Sequence, residues 1–291
     1  IGITAYSFHA SASCVVRAGF IPVFIDVDKN GLMNLDEFEN VAESLDGAII
    51  VQLFGSLIDE KRLIDICLNH NIKFIEDAAQ RHIYSKNLLN SELCISSVLS
   101  FDPFKIFSGI GTGGAVITKD KYIAEKITEF RYHGNRCEVQ GFNSQISECS
   151  AWLIRKKIEH FVQWQEKRKN VAEVYNKALS KFNRKLRPLV NNFDLNEHSL
   201  HKYIIVFEKK LDRDLIENKL LSDEIKTMVH YRYILPDLPL FKKFVSFEIG
   251  NSFLNCRNLS KQSLSLPIHP FINSEDLNKI IKCLTSHLEC L

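Results

Sequence analysis

Between residues 1 and 120, short and nearly all-apolar runs alternate with stretches whose apolar residues recur at helical spacing. The runs are Ile21-Pro22-Val23-Phe24-Ile25, Ala48-Ile49-Ile50-Val51 and Ile72-Lys73-Phe74-Ile75; the first stops at Asp26-Val27-Asp28 and the last at Glu76-Asp77. Leu35 to Leu45 and Lys61 to His70 read as helices between them, the second with Leu63, Ile64, Cys67 and Leu68 on one face. A strand that is apolar on both of its alternating sides has to be covered on both. This β-α-β-α-β rhythm therefore predicts an α/β fold, a parallel sheet with helices on each face.

Ile1-Gly2-Ile3 reads as a strand already under way, so the chain is expected to begin inside a domain. Further strands are expected near Ile95–Phe101 and Gly114–Thr118, then a helix from about Asp120 to Tyr132. From Ser144 to about Phe182 the pattern is helical with few breakers. After Pro188 the texture changes. Tyr203-Ile204-Ile205-Val206-Phe207 and Ile225–Tyr231 read as strands, Asp212–Leu221 as a helix, and Leu264-Ser265-Leu266-Pro267 leads to a last helix at Asn273–Leu284, capped by Asn273 or Ser274. With 291 residues the chain is long enough for two domains. The boundary is expected at residues 1–160 for a large sheet domain and 161–291 for a small α+β domain with its connecting helix.

Lys plus Arg number 37 against 35 Asp plus Glu, a net charge of +2 that argues against a nucleic-acid binder working through a strong basic field. The basic cluster Arg155, Lys156, Lys157, Lys167, Arg168 and Lys169 is interleaved with Glu159 and Glu166 and reads as the solvated face of a helix. No run approaches the ~18–20 apolar residues of a membrane span. The eight cysteines form no CxxC pair, so a zinc or dithiol site has little support. They are expected to be small buried hydrophobes in a reducing cytoplasm.

Open parallel sheets bind ligands at the carboxyl ends of their strands. Asp77 closes one strand there, and Lys105 follows Val98-Leu99-Ser100-Phe101 in Asp102-Pro103-Phe104-Lys105. Taken singly, Asp77 reads as a helix cap or turn former and Lys105 as a solvated loop residue. Gly109-Ile110-Gly111-Thr112-Gly113-Gly114 is followed by a strand, where a dinucleotide loop would open a helix, and it lacks the GK[ST] ending of a P-loop. Its better reading is a backbone that must lie close to something bulky.

Together the pieces form an ordered set. It runs through Ile3-Thr4-Ala5-Tyr6-Ser7-Phe8-His9-Ala10-Ser11, Val23-Phe24-Ile25-Asp26-Val27-Asp28, Gln52-Leu53-Phe54-Gly55, Glu76-Asp77-Ala78-Ala79-Gln80 and Ser100-Phe101-Asp102-Pro103-Phe104-Lys105. Gly113-Gly114-Ala115, Tyr132-His133-Gly134-Asn135, Gly141-Phe142-Asn143, His230-Tyr231 and Leu266-Pro267-Ile268-His269-Pro270 continue it. Over essentially the whole chain the set closely resembles the DegT/DnrJ/StrS family of pyridoxal-phosphate-dependent aminotransferases acting on nucleotide-linked keto-sugars.

The resemblance implies a three-layer fold-type-I large domain with a mostly parallel sheet, plus a smaller C-terminal α+β domain. It implies pyridoxal 5'-phosphate, with Asp77 against the pyridine nitrogen and Lys105 holding the cofactor through its ε-amine and moving protons. Phe8 matches the aromatic that stacks on the cofactor ring, with a core aromatic as the plain alternative. Gln80 matches a residue at the ring oxygen, and Ser100 a hydroxyl on the phosphate or, more plainly, a strand serine bonded to backbone. Asn143 matches a residue reaching the partner subunit's phosphate site, which implies a homodimer with shared active sites. His133, His230 and His269 read as packing beneath the pocket, with lining it as the alternative.

The implied reaction moves an amino group, by family resemblance that of glutamate, to a nucleotide-diphosphate keto-sugar, in amino-sugar biosynthesis for a surface polysaccharide or a secondary metabolite. Relatives that dehydrate or deoxygenate sugars replace the lysine with histidine, and Lys105 argues against that chemistry. The competing reading is a truncated, non-catalytic homologue that dimerises or binds a sugar nucleotide. Family members carry several dozen residues before the point that matches Ile1, including a Gly-Thr/Ser turn at the phosphate. Gln145-Ile146 replaces an Arg-Met pair, Ile83 replaces a glycine, and Asp102 and Phe104 are unusual flanks for Lys105.

Overall fold

The continuous apolar runs become strands of one sheet because both of their faces find cover. The computed structural model describes residues 1–83, 85–134, 139–190, 195, 197–245 and 253–291. Its larger sheet has six strands, β1 (Gly2–Thr4), β2 (Val23–Ile25), β3 (Ala48–Val51), β4 (Phe74–Asp77), β5 (Cys94–Ser100) and β6 (Gly114–Ile117), in the order β2-β1-β3-β4-β5-β6. All neighbours are parallel except β5 and β6, which run antiparallel.

On one face, Ile25, Ala48, Ile50 and Phe74 pack against Leu35 and Phe38 of α2 (Leu35–Val41), Leu63, Ile66 and Cys67 of α3 (Glu60–Asn69), and Leu88 and Leu89 of α4 (Lys86–Asn90). On the other, Ile3, Phe24, Ile49 and Val51 meet Ala12 and Val15 of α1 (Ala10–Arg17). Alternation along β3 sends Ile50 one way and Ile49 and Val51 the other, which is why the run shows no polar side. Polar ends start the helices: Asn34, Asp59, Ser85 and Asp120 each accept from backbone N–H groups of α2, α3, α4 and α5 (Lys121–Arg131).

Two helices follow, α6 (Glu148–Glu159) and α7 (Phe161–Leu179). The expected single helical stretch is thus broken at His160, whose φ of −101° and ψ of 2° end one helix and open the next. No breaker residue forces this. Ile154 packs with Ile106 and Phe107, whereas Val171, Ala172, Tyr175 and Leu179 belong to a different core, so the two segments are pulled to separate partners.

A second, antiparallel sheet has the order β7-β8-β9, from β7 (Leu186–Pro188), β8 (Tyr203–Phe207) and β9 (Ser263–Leu266). Tyr203, Ile205 and Phe207 face a core with α7, α8 (Lys210–Ser222) and α10 (Ser274–Glu289). Ile204 and Val206, on the opposite face of β8, join the core of the larger sheet. Ile234, Leu235, Phe241 and Phe253, with Cys256 and Leu259 of α9 (Leu254–Gln262), complete that cover. Asn273 caps α10 through Asp276 N–H.

Several expectations are corrected. The fourth strand is Phe74–Asp77, so Asp77 lies inside the ladder, while Ile72 bonds back to Cys67 to close α3. Ile225–Tyr231 is no strand: it joins the sheet only through an isolated bridge between Met228 and Ser265. Helices α1, α4 and α9 and strand β7 were not expected, and α8 and α10 each run further than predicted. Cys67, Cys94 and Cys256 are buried, but Cys14, Cys149 and Cys290 are exposed and Cys283 is half-buried; Cys137 lies outside the described residues. The basic cluster is not wholly solvated either. Lys157 donates to the carbonyl and hydroxyl of Ser108 at 2.6 and 2.7 Å, and Arg168 is buried. Among the described residues no helix is long and apolar enough to cross a membrane.

Candidate active site

The sequence Glu76-Asp77 places two carboxylates on opposite faces of β4, because successive strand side chains alternate. Glu76 points inward and is fully buried. It accepts from Ser85 N–H at 3.1 Å, Gln52 Nε2 at 3.2 Å and the Ser97 hydroxyl, and burial pushes its carboxyl up from the ordinary range. Asp77 points the other way, at the carboxyl end of the sheet. The Ser11 hydroxyl in the first turn of α1 donates to Asp77 Oδ2 at 2.7 Å, and Ala79 N–H donates to Oδ1 at 3.1 Å. These two bonds fix the orientation of the carboxylate and leave each oxygen able to accept again.

Lys105 lies in the turn that follows β5. Its N–H donates to Asp102 O at 2.8 Å, and Phe104 N–H donates to Asp102 Oδ1 at 3.0 Å, so Asp102 organises the turn. Ser100 Oγ accepts from Asp102 N–H at 3.3 Å, which is the plain strand-serine role. Burial lowers the Lys105 ammonium pKa, with Asp77 and Asp102 opposing that shift. The charge of Asp77 thus reaches Lys105, although no hydrogen bond or ion pair to the Lys105 amine is found among the described residues.

The glycines allow this loop to close. A Cβ on Gly114 would stand 2.8 Å from the carbonyl oxygen of Leu99, one on Gly113 would meet Ile146 at 3.0 Å, and one on Gly109 would meet Ser150 at 3.2 Å. Gly111 differs: it has open space around it, and its φ of +87° supplies the reason for glycine.

Gln80 is buried one turn beyond Asp77. Its Oε1 accepts from Phe54 N–H and its Nε2 donates to the Tyr231 hydroxyl, both at 3.0 Å. Phe8 is 48% exposed, so it is not a core aromatic, and its ring lies 6.3 Å from that of Tyr231. Asp77, Lys105, Gln80 and Phe8 are therefore linked by contacts or charge around one end of the sheet, with Ser100 in the Lys105 turn. Among the described residues Asn143 is not joined to them. It is exposed and bridges to Tyr132, at the end of α5.

Of the three histidines singled out, His230 lies against Phe54 and Tyr231, the residues that hold Gln80. Its ring is 6.3 Å from Phe54, its Nδ1 is 2.7 Å from Ser265 Oγ, and burial lowers its pKa to about 4, with Lys202 and Lys105 adding to the effect. His133 and His269 are exposed. Sequence reasoning did not single out Ser11, Tyr231 or Lys202 as site residues. Ser11 and Tyr231 stand within quoted motifs, but nothing local marks their contacts with Asp77 and Gln80. Lys202 carries no signal at all, since a lysine before a strand ordinarily reads as solvated.

The family profile for DegT/DnrJ/EryC1/StrS aminotransferases matches residues 1–285. The pleiotropic regulatory protein of Geobacillus stearothermophilus is 31% identical over 96% of this chain and 76% of its own length. The dTDP-4-amino-4,6-dideoxy-D-glucose transaminase of Shigella dysenteriae is 27% identical over 97% of this chain and 77% of its own length. In fold, the chain matches ntda from Bacillus subtilis, solved with bound cofactor PMP, at a TM-score of 0.87 and 24% identity, over 99% of this chain and 67% of that one.

Proposed function

The chain belongs to the DegT/DnrJ/EryC1/StrS aminotransferase family, whose enzymes depend on pyridoxal phosphate, and we propose that it transfers an amino group from an amino acid to a nucleotide-diphosphate keto-sugar. Glutamate is the donor we assign, and amino-sugar biosynthesis for a surface polysaccharide or a secondary metabolite the setting. The sugar transaminase among the relatives supports this substrate class. The observation that carries the reading is the placement of a carboxylate, Asp77, fixed by Ser11 and Ala79 at the carboxyl end of β4, beside the turn after the neighbouring strand β5 that bears Lys105.

The residues fit the cofactor. Asp77 is held by two donors and can accept one more, Lys105 offers an amine with no described partner, and Phe8 presents a half-open ring. When bound, pyridoxal phosphate supplies an electron sink for the substrate carbon that loses a proton. Asp77 would stand at the ring nitrogen and keep it cationic, its orientation fixed by Ser11 and Ala79. Lys105 would hold the cofactor and, once displaced by the incoming amine, take the proton from the substrate carbon at Nζ. Burial assists this step by favouring the neutral amine. Gln80 would sit at the ring oxygen, Phe8 over the ring and Ser100 at the phosphate.

The remaining assignments belong to the same reading. The large domain covers residues 1–160 and the small one 161–291. The active unit is a homodimer in which Asn143 reaches the partner's phosphate site; the exposed Phe142 beside it suits a covered surface. The free cysteines suit the cytoplasm.

Absorbance of the purified protein with pyridoxal phosphate tests the reading. A band near the visible edge, shifted by borohydride and lost in Lys105→Ala, is expected, with the reduced label recovered on the Lys105 peptide. A homologue that binds sugar nucleotides without turnover would give no such band at saturating cofactor.

A further inference from the structure

Lys202 stands where its charge has no described counterpart. It is half-buried at the entry to β8, and its amine makes no hydrogen bond or ion pair among the described residues. The groups whose charge reaches it are cations, Lys105 and Arg168. Arg168 is itself buried and spends its NH1 on the carbonyls of Leu200 and Ile268, at 3.0 and 3.1 Å. Burial, then Lys105 and Arg168, push the Lys202 ammonium down to about 8. The rings of His82 and His201, 5.0 Å apart, lie in the same region, and burial keeps both neutral. A cation drawn out of water with only cations around it is costly unless an anion joins it.

Backbone geometry places Lys202 beside the active site. Lys202 N–H donates to Phe54 O at 3.3 Å, and Phe54 N–H in turn donates to Gln80. The two loops interlock tightly. Ser199 N–H donates to Gly55 O at 2.9 Å, and a Cβ on Gly55 would lie 2.3 Å from Ser199 Oγ and 3.1 Å from Leu200 N. The backbone that carries Lys202 is therefore held against the turn that follows β3.

The position also separates candidate anions. In the sheet order, β4 lies between β3 and β5. Ser100, the residue assigned to the cofactor phosphate, ends β5 on one side of Asp77, while Lys202 is tied to the turn after β3 on the other. An amino-acid donor carries its carboxylate one bond from the carbon that reacts, so a carboxylate falls close to Lys105. The diphosphate of a nucleotide sugar lies further from its reacting carbon. Resting on the proposed transaminase reading, we propose that Lys202 is the residue that binds the α-carboxylate of the amino donor.

The test uses holoenzyme in three forms, wild type, Lys202→Met and Lys202→Arg, each titrated calorimetrically with maleate as an unreactive dicarboxylate and separately with UDP. Loss of one charge-assisted contact should raise the maleate Kd about tenfold or more in Lys202→Met, and Lys202→Arg should return it to within about threefold of wild type. UDP affinity should stay within about threefold in all forms. Melting temperatures measured alongside identify a variant that has lost its fold, and the arginine form then decides the matter by retaining maleate or not. Unchanged maleate affinity in a folded Lys202→Met overturns the proposal. So does a loss confined to UDP or to pyridoxal phosphate, or a wild type that binds no maleate. A wild type that binds maleate through Lys202 yet never converts glutamate supports the carboxylate site and removes the transaminase reading instead.

Discussion

Gln80 and Tyr231, 151 residues apart in the chain, are joined by a 3.0 Å hydrogen bond from the amide Nε2 to the phenol oxygen. The same amide accepts Phe54 N–H, and Tyr231 N–H donates to the Tyr6 hydroxyl at 2.8 Å. The side chain assigned to the cofactor's ring oxygen is thus also a tie between the turn after β3, the turn after β4 and the segment before α9. Substrate-positioning groups gain precision when their own orientation is held in this way.

Gln80→Ala should therefore destabilise the protein before any cofactor is added. It leaves the buried Phe54 N–H without an acceptor, a loss of about 1–3 kcal/mol, whereas Tyr231→Phe removes one hydrogen bond at a smaller cost of about 1 kcal/mol. Urea unfolding of the cofactor-free protein measures both. Equal midpoints for wild type and Gln80→Ala would show that Phe54 N–H finds another partner.

Two glycines of the 109–114 run should respond differently to alanine. At Gly114 the added Cβ would press on the Leu99 carbonyl within the Ser100–Gly114 pair of the β5–β6 ladder, and a backbone atom cannot step aside. Overpacking of this kind costs about 1–3 kcal/mol and would shift the strand end that carries Ser100. Gly111→Ala meets no atom and pays only for its left-handed conformation, about 1 kcal/mol. Unfolding free energies should rank Gly114→Ala as the worse. If the cofactor reading holds, only that variant should also weaken pyridoxal phosphate binding.

How much was legible depended on whether the cause lay near in sequence. The strands of the larger sheet could be read because burial on both faces leaves continuous apolar runs such as Ala48–Val51. Asp77 and Lys105 could be singled out because one ends a strand, the other lies in the turn after a strand, and each falls in a specific motif. Helix α9 could not. Its N-cap position, Phe253, has no capping side chain. The cap is supplied from the end of β2, where Asp26 accepts from Asn255 N–H and Cys256 N–H, each at 2.9 Å. No local pattern announces a cap that arrives from the other end of the chain. The break at His160 and the burial of Lys202 were hidden for the same reason, because tertiary packing decides both.

That distant cap gives a third prediction. Asp26→Ala should remove acceptors from two helix N–H groups and from Val27 N–H, which donates to the same carboxylate at 2.8 Å. A lost cap alone costs about 1 kcal/mol, and orphaned buried donors raise the total to about 2–4 kcal/mol. Hydrogen exchange should show Asn255 and Cys256 losing protection more than amides of α3. A uniform loss across the protein would mean that Asp26 acts on the whole fold and not on this helix.

Acid should weaken the fold through its buried histidines. Burial holds the pKa values of His82 and His201 well below the ordinary value of 6.5 and that of His198 at about 3. Below pH 6.5 the unfolded chain therefore binds protons that the folded chain refuses, so stability falls as the pH drops. Glu76 works the other way, since its raised pKa lets the folded state take up a proton before the unfolded one does. Comparing variants removes that opposing contribution. His198→Asn keeps an acceptor for Leu200 N–H, which the Nδ1 of His198 provides at 2.9 Å. Between pH 7 and 5.5 the stability of this variant should fall by about 1 kcal/mol less than that of wild type. Urea denaturation at the two pH values measures the difference, and parallel losses would mean that His198 is protonated in the folded protein.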